Sequence, residues 1–212
     1  MTVRINKPAL NVREELTKAQ SVVRYEQRQF WMDGLVENGT FDTADGWGGY
    51  WTISGGVATN NSGVNTELSY SMVGLKTGRK YKVTFDKVTS TGGVKVDVAS
   101  PFIDEDNTYI YAQGTHEQIV TGGSSNTNLV FWGSDGASID NVTVFEVDEN
   151  DEVIHSLPLG FKPVHVYEDG LLQREGDNYD YTVVDTGFEY QIKPTVAPSA
   201  TTETCVIAER EL

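Results

Sequence analysis

The stretch Leu35–Trp51, "LVENGTFDTADGWGGYW", contains the features from which the fold can be inferred. It begins with a turn dipeptide, Asn38-Gly39, and continues with further glycines and aspartates. This composition is typical of short strands joined by tight turns. Three large aromatic residues, Trp47, Tyr50 and Trp51, crowd its end. These rings either fill a β-core or present a flat surface to a ligand such as a sugar.

The residues that follow, up to about 148, repeat a strand pattern between turn signals. In "KYKVTFDKV", apolar Tyr81, Val83 and Phe85 alternate with polar residues, which predicts a half-buried strand. Similar runs follow at intervals of about a dozen residues or less. The pattern predicts an antiparallel β-sandwich over residues 35–148.

Residues 1–34 have a different pattern. The first ten residues look extended, and Asn11 is a candidate N-cap with Glu14 three residues later, as in a capping box. An apolar stripe at helical spacing follows, interrupted by Glu26. The stripe consists of Val12, Leu16, Ala19, Val23 and Phe30. We therefore expect an N-terminal arm and an amphipathic helix, which packs either on its own domain or against other subunits.

The region 149–212 is predicted to be a small C-terminal β domain. It begins within an acidic run, "VDENDEV" at 147–153, which we expect to be a solvated connector. Its strand candidates are separated by turn signals at Asp169-Gly170 and Asp185–Gly187. Roughly sixty residues are few for independent folding, so we expect this domain to rest on a neighbour or an oligomer.

Composition restricts the classes of partner. The 212 residues carry a formal net charge of -15, which repels phosphates and argues against nucleic acid as a partner. Cys205 is the one cysteine, so no intrachain disulfide forms, as suits assembly in a reducing cytoplasm. No signal-peptide core and no run with the length of a membrane span is found, so no membrane partner is expected.

Three motifs in order support a resemblance to a known family. An Asn-Gly-x-Phe-Asp opening leads to Gly-Trp, a Gly-x-x-Tyr-x-Val-x-Phe strand follows, and an Asp-Asn-Val strand closes the region. The residues are Asn38, Gly39, Phe41, Asp42, Gly46 and Trp47; Gly78, Tyr81, Val83 and Phe85; and Asp140, Asn141 and Val142. This half of the chain resembles the jelly-roll carbohydrate-binding modules of glycanases and phage proteins. The resemblance implies a mainly β protein with a jelly-roll sandwich.

Two further segments resemble bacteriophage proteins. "GLLQREG" at 170–176, with Tyr179 and the later Ala197-Pro198, is similar to a small β module of phage tail-fibre and virion structural proteins. "INKPALNVREEL" at 5–16 is similar to the start of virion-associated phage proteins whose N-terminal arm attaches to the particle. Together they imply a virion protein, assembled in the host cytoplasm, whose arm binds other virion proteins. Capsid decoration and a tail or fibre position both stay open, and a homo-oligomer is expected, with a trimer as one option.

The family resemblance also suggests a sugar site. We expect Trp47 in the core and take five other aromatic residues as candidates for stacking on a host-surface glycan. They are Tyr50, Trp51, Tyr109, Tyr111 and Trp132. On a virion, the same cluster would also suit a subunit interface.

The resemblance further implies a structural calcium ion. In related modules, an acid of the opening motif and the aspartate of the closing strand share this ion, which matches Asp42 and Asp140 here. A hard dication needs several oxygen ligands at once. The alternative is that Asp42 caps a turn and Asp140 accepts backbone N–H bonds.

No enzymatic motif is recognisable in the sequence. The three histidines are scattered, and neither a nucleophile elbow nor a phosphate-binding loop is present. We therefore expect a non-enzymatic virion structural protein. Its rivals are a carbohydrate-binding adhesion protein that recognises a bacterial surface glycan, and a depolymerase fragment.

Overall fold

The structure, a computed structural model, describes residues 25–31, 34–71, 76–98, 109–122, 128–199 and 201–211. These residues form sixteen β-strands and contain no helix. The expectation of a mainly β chain is therefore confirmed. None of the described segments is a helix of the length and apolarity needed to cross a membrane.

Nine of the strands build a larger unit of two sheets. They are β2 (Trp47–Gly49), β3 (Thr52–Ser54), β4 (Val57–Thr59), β5 (Thr66–Ser71), β6 (Lys80–Lys87), β7 (Val94–Val98), β8 (Gly114–Thr121), β9 (Asn128–Gly133) and β10 (Ser138–Val147). One sheet has the order β3-β4-β10-β6-β8 and the other the order β2-β5-β9-β7. All neighbouring strands in both sheets pair antiparallel.

A single core of apolar and aromatic side chains lies between these sheets. On β6 every second side chain is buried, including Tyr81, Val83 and Phe85, as its alternating sequence predicts. Trp47 lies in this core as expected, and its ring centroid is 4.8 Å from that of Phe41. The turn-rich opening stretch therefore contributes rings to the core of the unit.

Gly39 joins the opening stretch to the closing strand. The Val142 N–H donates to the Gly39 carbonyl at 2.8 Å, and the Leu35 N–H donates to the Val144 carbonyl at 2.9 Å. A Cβ atom on Gly39 would lie 1.8 Å from the Val142 carbonyl oxygen. This backbone approach needs a residue without a side chain, which explains the glycine of the Asn-Gly opening.

The remaining strands form a smaller unit, also of two sheets. They are β1 (Tyr25–Trp31), β11 (His155–Ser156), β12 (Lys162–Glu168), β13 (Leu171–Leu172), β14 (Tyr181–Asp185), β15 (Tyr190–Pro194) and β16 (Thr204–Glu211). The sheets have the orders β1-β16-β12-β13 and β11-β15-β14. Their shared core contains Leu157, Phe161, Val166, Tyr181, Ile192, Val206 and Ala208.

The predicted helix is wrong over its last residues. Residues 25–31 form β1, which pairs antiparallel with β16 from Tyr25↔Glu211 to Trp31↔Cys205. Phe30 packs edge-on against Phe161 at 5.0 Å, so it belongs to the core of the smaller unit rather than to a helical seam. Long-range pairing here overrides local helical spacing. Val12, Leu16 and Val23 lie outside the described residues.

The acidic connector packs through its two valines, while three of its polar residues stay exposed. Val147 and Val153 form a β-bridge and are buried together with Phe145. The Lys193 ammonium lies 3.0 Å from a carboxylate oxygen of Asp148 and also pairs with Glu152. The expected solvated run is confirmed at Glu149, Asn150 and Glu152, which are exposed, and wrong at Val147 and Val153, which turn inward.

Candidate glycan-binding face

The outer face of the sheet β2-β5-β9-β7 brings four of the five candidate aromatics together. Trp132 on β9 lies in register between Glu67 on β5 and Lys95 on β7. Tyr50 continues β2 beside the same position, because its N–H donates to the Glu67 carbonyl at 3.0 Å. These four residues therefore form one row across the sheet.

Tyr50 and Trp51 point in opposite directions, as strand alternation requires. The Tyr50 side chain is 73% exposed, whereas Trp51 is 8% exposed. The Trp51 indole N–H donates to the Thr66 carbonyl at 3.2 Å, and its ring lies over Gly133 so closely that a Cβ there would be 2.2 Å from it. Burial removes Trp51 from the candidate sugar contacts and places it in the core.

Tyr109 and Tyr111 extend the row beyond β7. Ile110, between them, exchanges two backbone hydrogen bonds with Val94, at 2.9 and 2.7 Å, and packs on the core. The flanking tyrosines therefore turn to the outer face, where their ring centroids lie 6.4 Å apart. The Lys95 ammonium lies 5.8 Å from the centre of the Tyr109 ring, within range of a cation–π contact.

We refer to Tyr50, Trp132, Tyr109 and Tyr111 as the aromatic row. From Tyr50 beside β2 to the two tyrosines beyond β7, the row spans four strand spacings, a distance of roughly 19 Å at ~4.8 Å per spacing. Glu67 and Lys95 flank Trp132 in this row and add one acceptor and one donor. Ring faces suit the apolar face of a sugar, and the two charged groups suit its hydroxyls. Sequence patterns did not single out Glu67 or Lys95, because only strand register places them beside Trp132.

The two candidate calcium ligands lie close enough for their charges to interact, Asp42 in the opening stretch and Asp140 on β10. Burial raises the pKa of Asp140, as do the charges of Asp86 and Asp42, while a hydrogen bond from the Asn141 N–H lowers it. Among the described residues, no group of three or more His, Cys, Asp or Glu side chains is arranged to hold a metal. Two carboxylates alone make an incomplete ligand set for a hard dication, and calcium binding stays a prediction.

Replacing Asp140 with asparagine tests this prediction. With calcium removed by a chelator, Asp140→Asn is expected to raise the melting temperature by about 2–4 °C. The substitution removes a charge that burial disfavours and that Asp86 and Asp42 repel, and it keeps an acceptor for the Asn141 N–H. Millimolar calcium should stabilise the wild type and leave the variant unchanged in thermal unfolding. Asp45→Asn, in the same loop as Asp42, should keep the calcium response. An unchanged wild-type melting temperature on addition of calcium would rule the ion out.

No family model and no curated protein matches the chain. Among solved structures, it is similar to the enzymatically active domain of tailspike protein 4 of bacteriophage CBA120, at 12% identity and a TM-score of 0.37. The match covers 54% of this chain and 21% of that one, so this chain spans about a fifth of the tailspike domain.

The description of the tailspike domain corrects one expectation from sequence. We expected a protein without enzymatic activity, yet the similar structure is described as enzymatically active. The expectation is therefore withdrawn. At this identity and TM-score the similarity itself assigns no activity to the chain.

Proposed function

We propose that this chain is a glycan-binding component of the tail or fibre apparatus of a bacteriophage, with a larger unit of the jelly-roll type. The observation that carries the proposal is the aromatic row, in which Tyr50 and Tyr111 are 73% and 61% exposed. Exposed rings aligned across one sheet, with a carboxylate and an ammonium between them, match what a sugar chain requires of a binding surface.

The assignment to a virion is supported by the motif in the smaller unit. Asp169 and Gly170, at φ values of 49° and 77°, form the tight turn between β12 and β13. The motif arginine, Arg174, lies 4.6 Å from the centre of the Tyr179 ring. The motif residues therefore form a turn and a cation–π contact within the module that resembles phage fibre and virion proteins.

The tail or fibre position is distinguished from capsid decoration by copy number in purified particles. Quantitative mass spectrometry should find far fewer copies of this chain than of the major capsid protein. A number comparable with the capsid protein would indicate decoration. Complete absence from particles would contradict the virion assignment and leave a free carbohydrate-binding protein.

Glycan binding is tested with Trp132→Ala. We expect the full chain to bind at least one member of a panel of purified bacterial capsular and O-antigen polysaccharides, and the variant to bind about tenfold or more weakly. The loss follows from removing the ring at the centre of the row. Isothermal titration calorimetry on the panel measures both affinities.

Phe188→Ala is the matched control. Phe188 is 84% exposed but lies on the smaller unit, between β14 and β15, so its removal should leave polysaccharide affinity unchanged. Equal losses in both variants would indicate non-specific apolar adhesion. Release of reducing ends is measured in the same mixtures, so that cleavage is separated from binding.

A further inference from the structure

The smaller unit has a long strand at the edge of one sheet. β1 is the terminal strand in the order β1-β16-β12-β13, and its seven residues pair only with β16 among the described residues. The opposite edge of that sheet, β13, has only two residues. A long edge strand presents a row of backbone donors and acceptors that another strand can pair with.

Within the described residues, β1 lacks several of the usual protections of an edge strand. Its sequence, YEQRQFW, contains no lysine and no proline, and its pairing with β16 runs without a register shift. Gln27, Arg28 and Gln29 at its centre are all exposed. Natural sheets normally block such edges with charged side chains, proline, a bulge or a covering segment. The charged residues of β1 are Glu26 and Arg28, whose opposite signs exclude most strands but suit a partner strand of complementary charge.

The charges on β1 indicate which strand fits. Antiparallel pairing of two copies about Gln27 places Glu26 of each copy opposite Arg28 of the other, on the same face of the joined sheet. Within one chain, Glu26 already pairs with Arg28 and accepts a hydrogen bond from Arg210 at 2.7 Å. Because Arg28 has 57% of its side chain exposed, it has room for a second carboxylate.

We propose that β1 pairs with β1 of a second copy of this chain to form a two-fold dimer with one continuous sheet of eight strands. This arrangement is self-complementary, as a closed two-fold interface requires. It goes beyond glycan binding and stands independently of it. A dimer would carry two aromatic rows, and two linked sites raise the apparent affinity for a repeating polysaccharide.

A charge exchange between two variants of the full chain tests this dimer. Sedimentation velocity should show a concentration-dependent dimer for the wild type. Arg28→Glu and Glu26→Arg should each place like charges opposite each other and weaken self-association about tenfold or more. An equimolar mixture of the two variants should associate again, because each then meets the opposite charge.

The mixture also controls for misfolding, since unfolded variants would not recover association, and circular dichroism of each variant checks the strand content. A monomeric wild type at all concentrations would overturn the proposal. So would variants that associate as tightly as the wild type, or a mixture that stays monomeric. A trimer would overturn it as well, because an antiparallel pairing of identical strands closes at two copies.

Discussion

Gly39→Ala is expected to destabilise the larger unit by about 4 kcal/mol and to lower its melting temperature by about 10 °C. The new Cβ would lie 1.8 Å from the carbonyl oxygen of Val142 and 2.8 Å from its carbonyl carbon. These are backbone atoms of β10 at the bulge between Asp140 and Thr143, and both of those residues pair with β6, so Val142 cannot move aside as a flexible side chain could. Moving the opening stretch instead breaks the hydrogen bond between Val142 and Gly39. Thermal unfolding followed by circular dichroism measures the effect.

Gly48→Ala is the matched control for this prediction. Gly48 lies on β2, and a Cβ there would meet only the Ser69 hydroxyl, at an ordinary 3.6 Å. Since this site is open and extended, alanine should leave the melting temperature nearly unchanged. It should at most raise it slightly, because alanine lowers the conformational entropy of the unfolded chain. If both variants unfolded at the same temperature as the wild type, the close approach of the Gly39 and Val142 backbones would not be required for the stability of this unit.

The larger unit was predictable because its signals are local. Alternation on β6 identified Tyr81, Val83 and Phe85 as core residues, and each is buried. Gly39 and Trp47 belong to one motif because they stabilise the same part of the fold. The Trp47 indole N–H donates to the carbonyl of Asn38, the residue before Gly39, at 2.8 Å. Patterns of this kind depend on side-chain period and turn chemistry, which a single sequence displays directly.

β1 was not predictable in the same way. Its apolar Phe30 fits a helical stripe, and strand alternation over seven residues is too short to outweigh that spacing. What decides its structure is β16, which pairs with it from the far end of the chain. No local window of the sequence contains that information.

The candidate site was predictable only in part, for a related reason. Residue type selected Tyr50, Tyr109, Tyr111 and Trp132, but it could not separate Tyr50 from the adjacent Trp51. Which of the two rings is buried depends on which side of the segment after β2 faces the core. Gly133, which makes room for the Trp51 ring, lies on β9. Pairing partners, rather than composition, decide which aromatic residues stay outside.

His155 should make stability depend on pH between about 4 and 6.5. It lies on β11, 6% exposed, with its ring edge-on to Phe145 at 5.9 Å. Burial lowers its pKa from 6.5 to about 4. Its Nε2 atom has no hydrogen-bond partner among the described residues, so nothing there compensates a positive charge. We therefore expect the ring to be protonated only when the contact between His155 and Phe145, at the junction of the two units, opens and water reaches it.

The direction of this effect follows from the lowered pKa. Between about 4 and 6.5 the unfolded chain binds a proton on His155 and the folded chain does not, so the free energy of unfolding falls as pH falls. The loss amounts to about 3 kcal/mol across this interval and ends below the folded pKa. His155→Gln and His155→Phe should both remove it, as the difference from wild type in urea unfolding at each pH would show. His165→Gln changes an exposed histidine and should retain the wild-type slope. Equal slopes in the wild type and both His155 variants would mean that the ring is not kept neutral by burial at this junction.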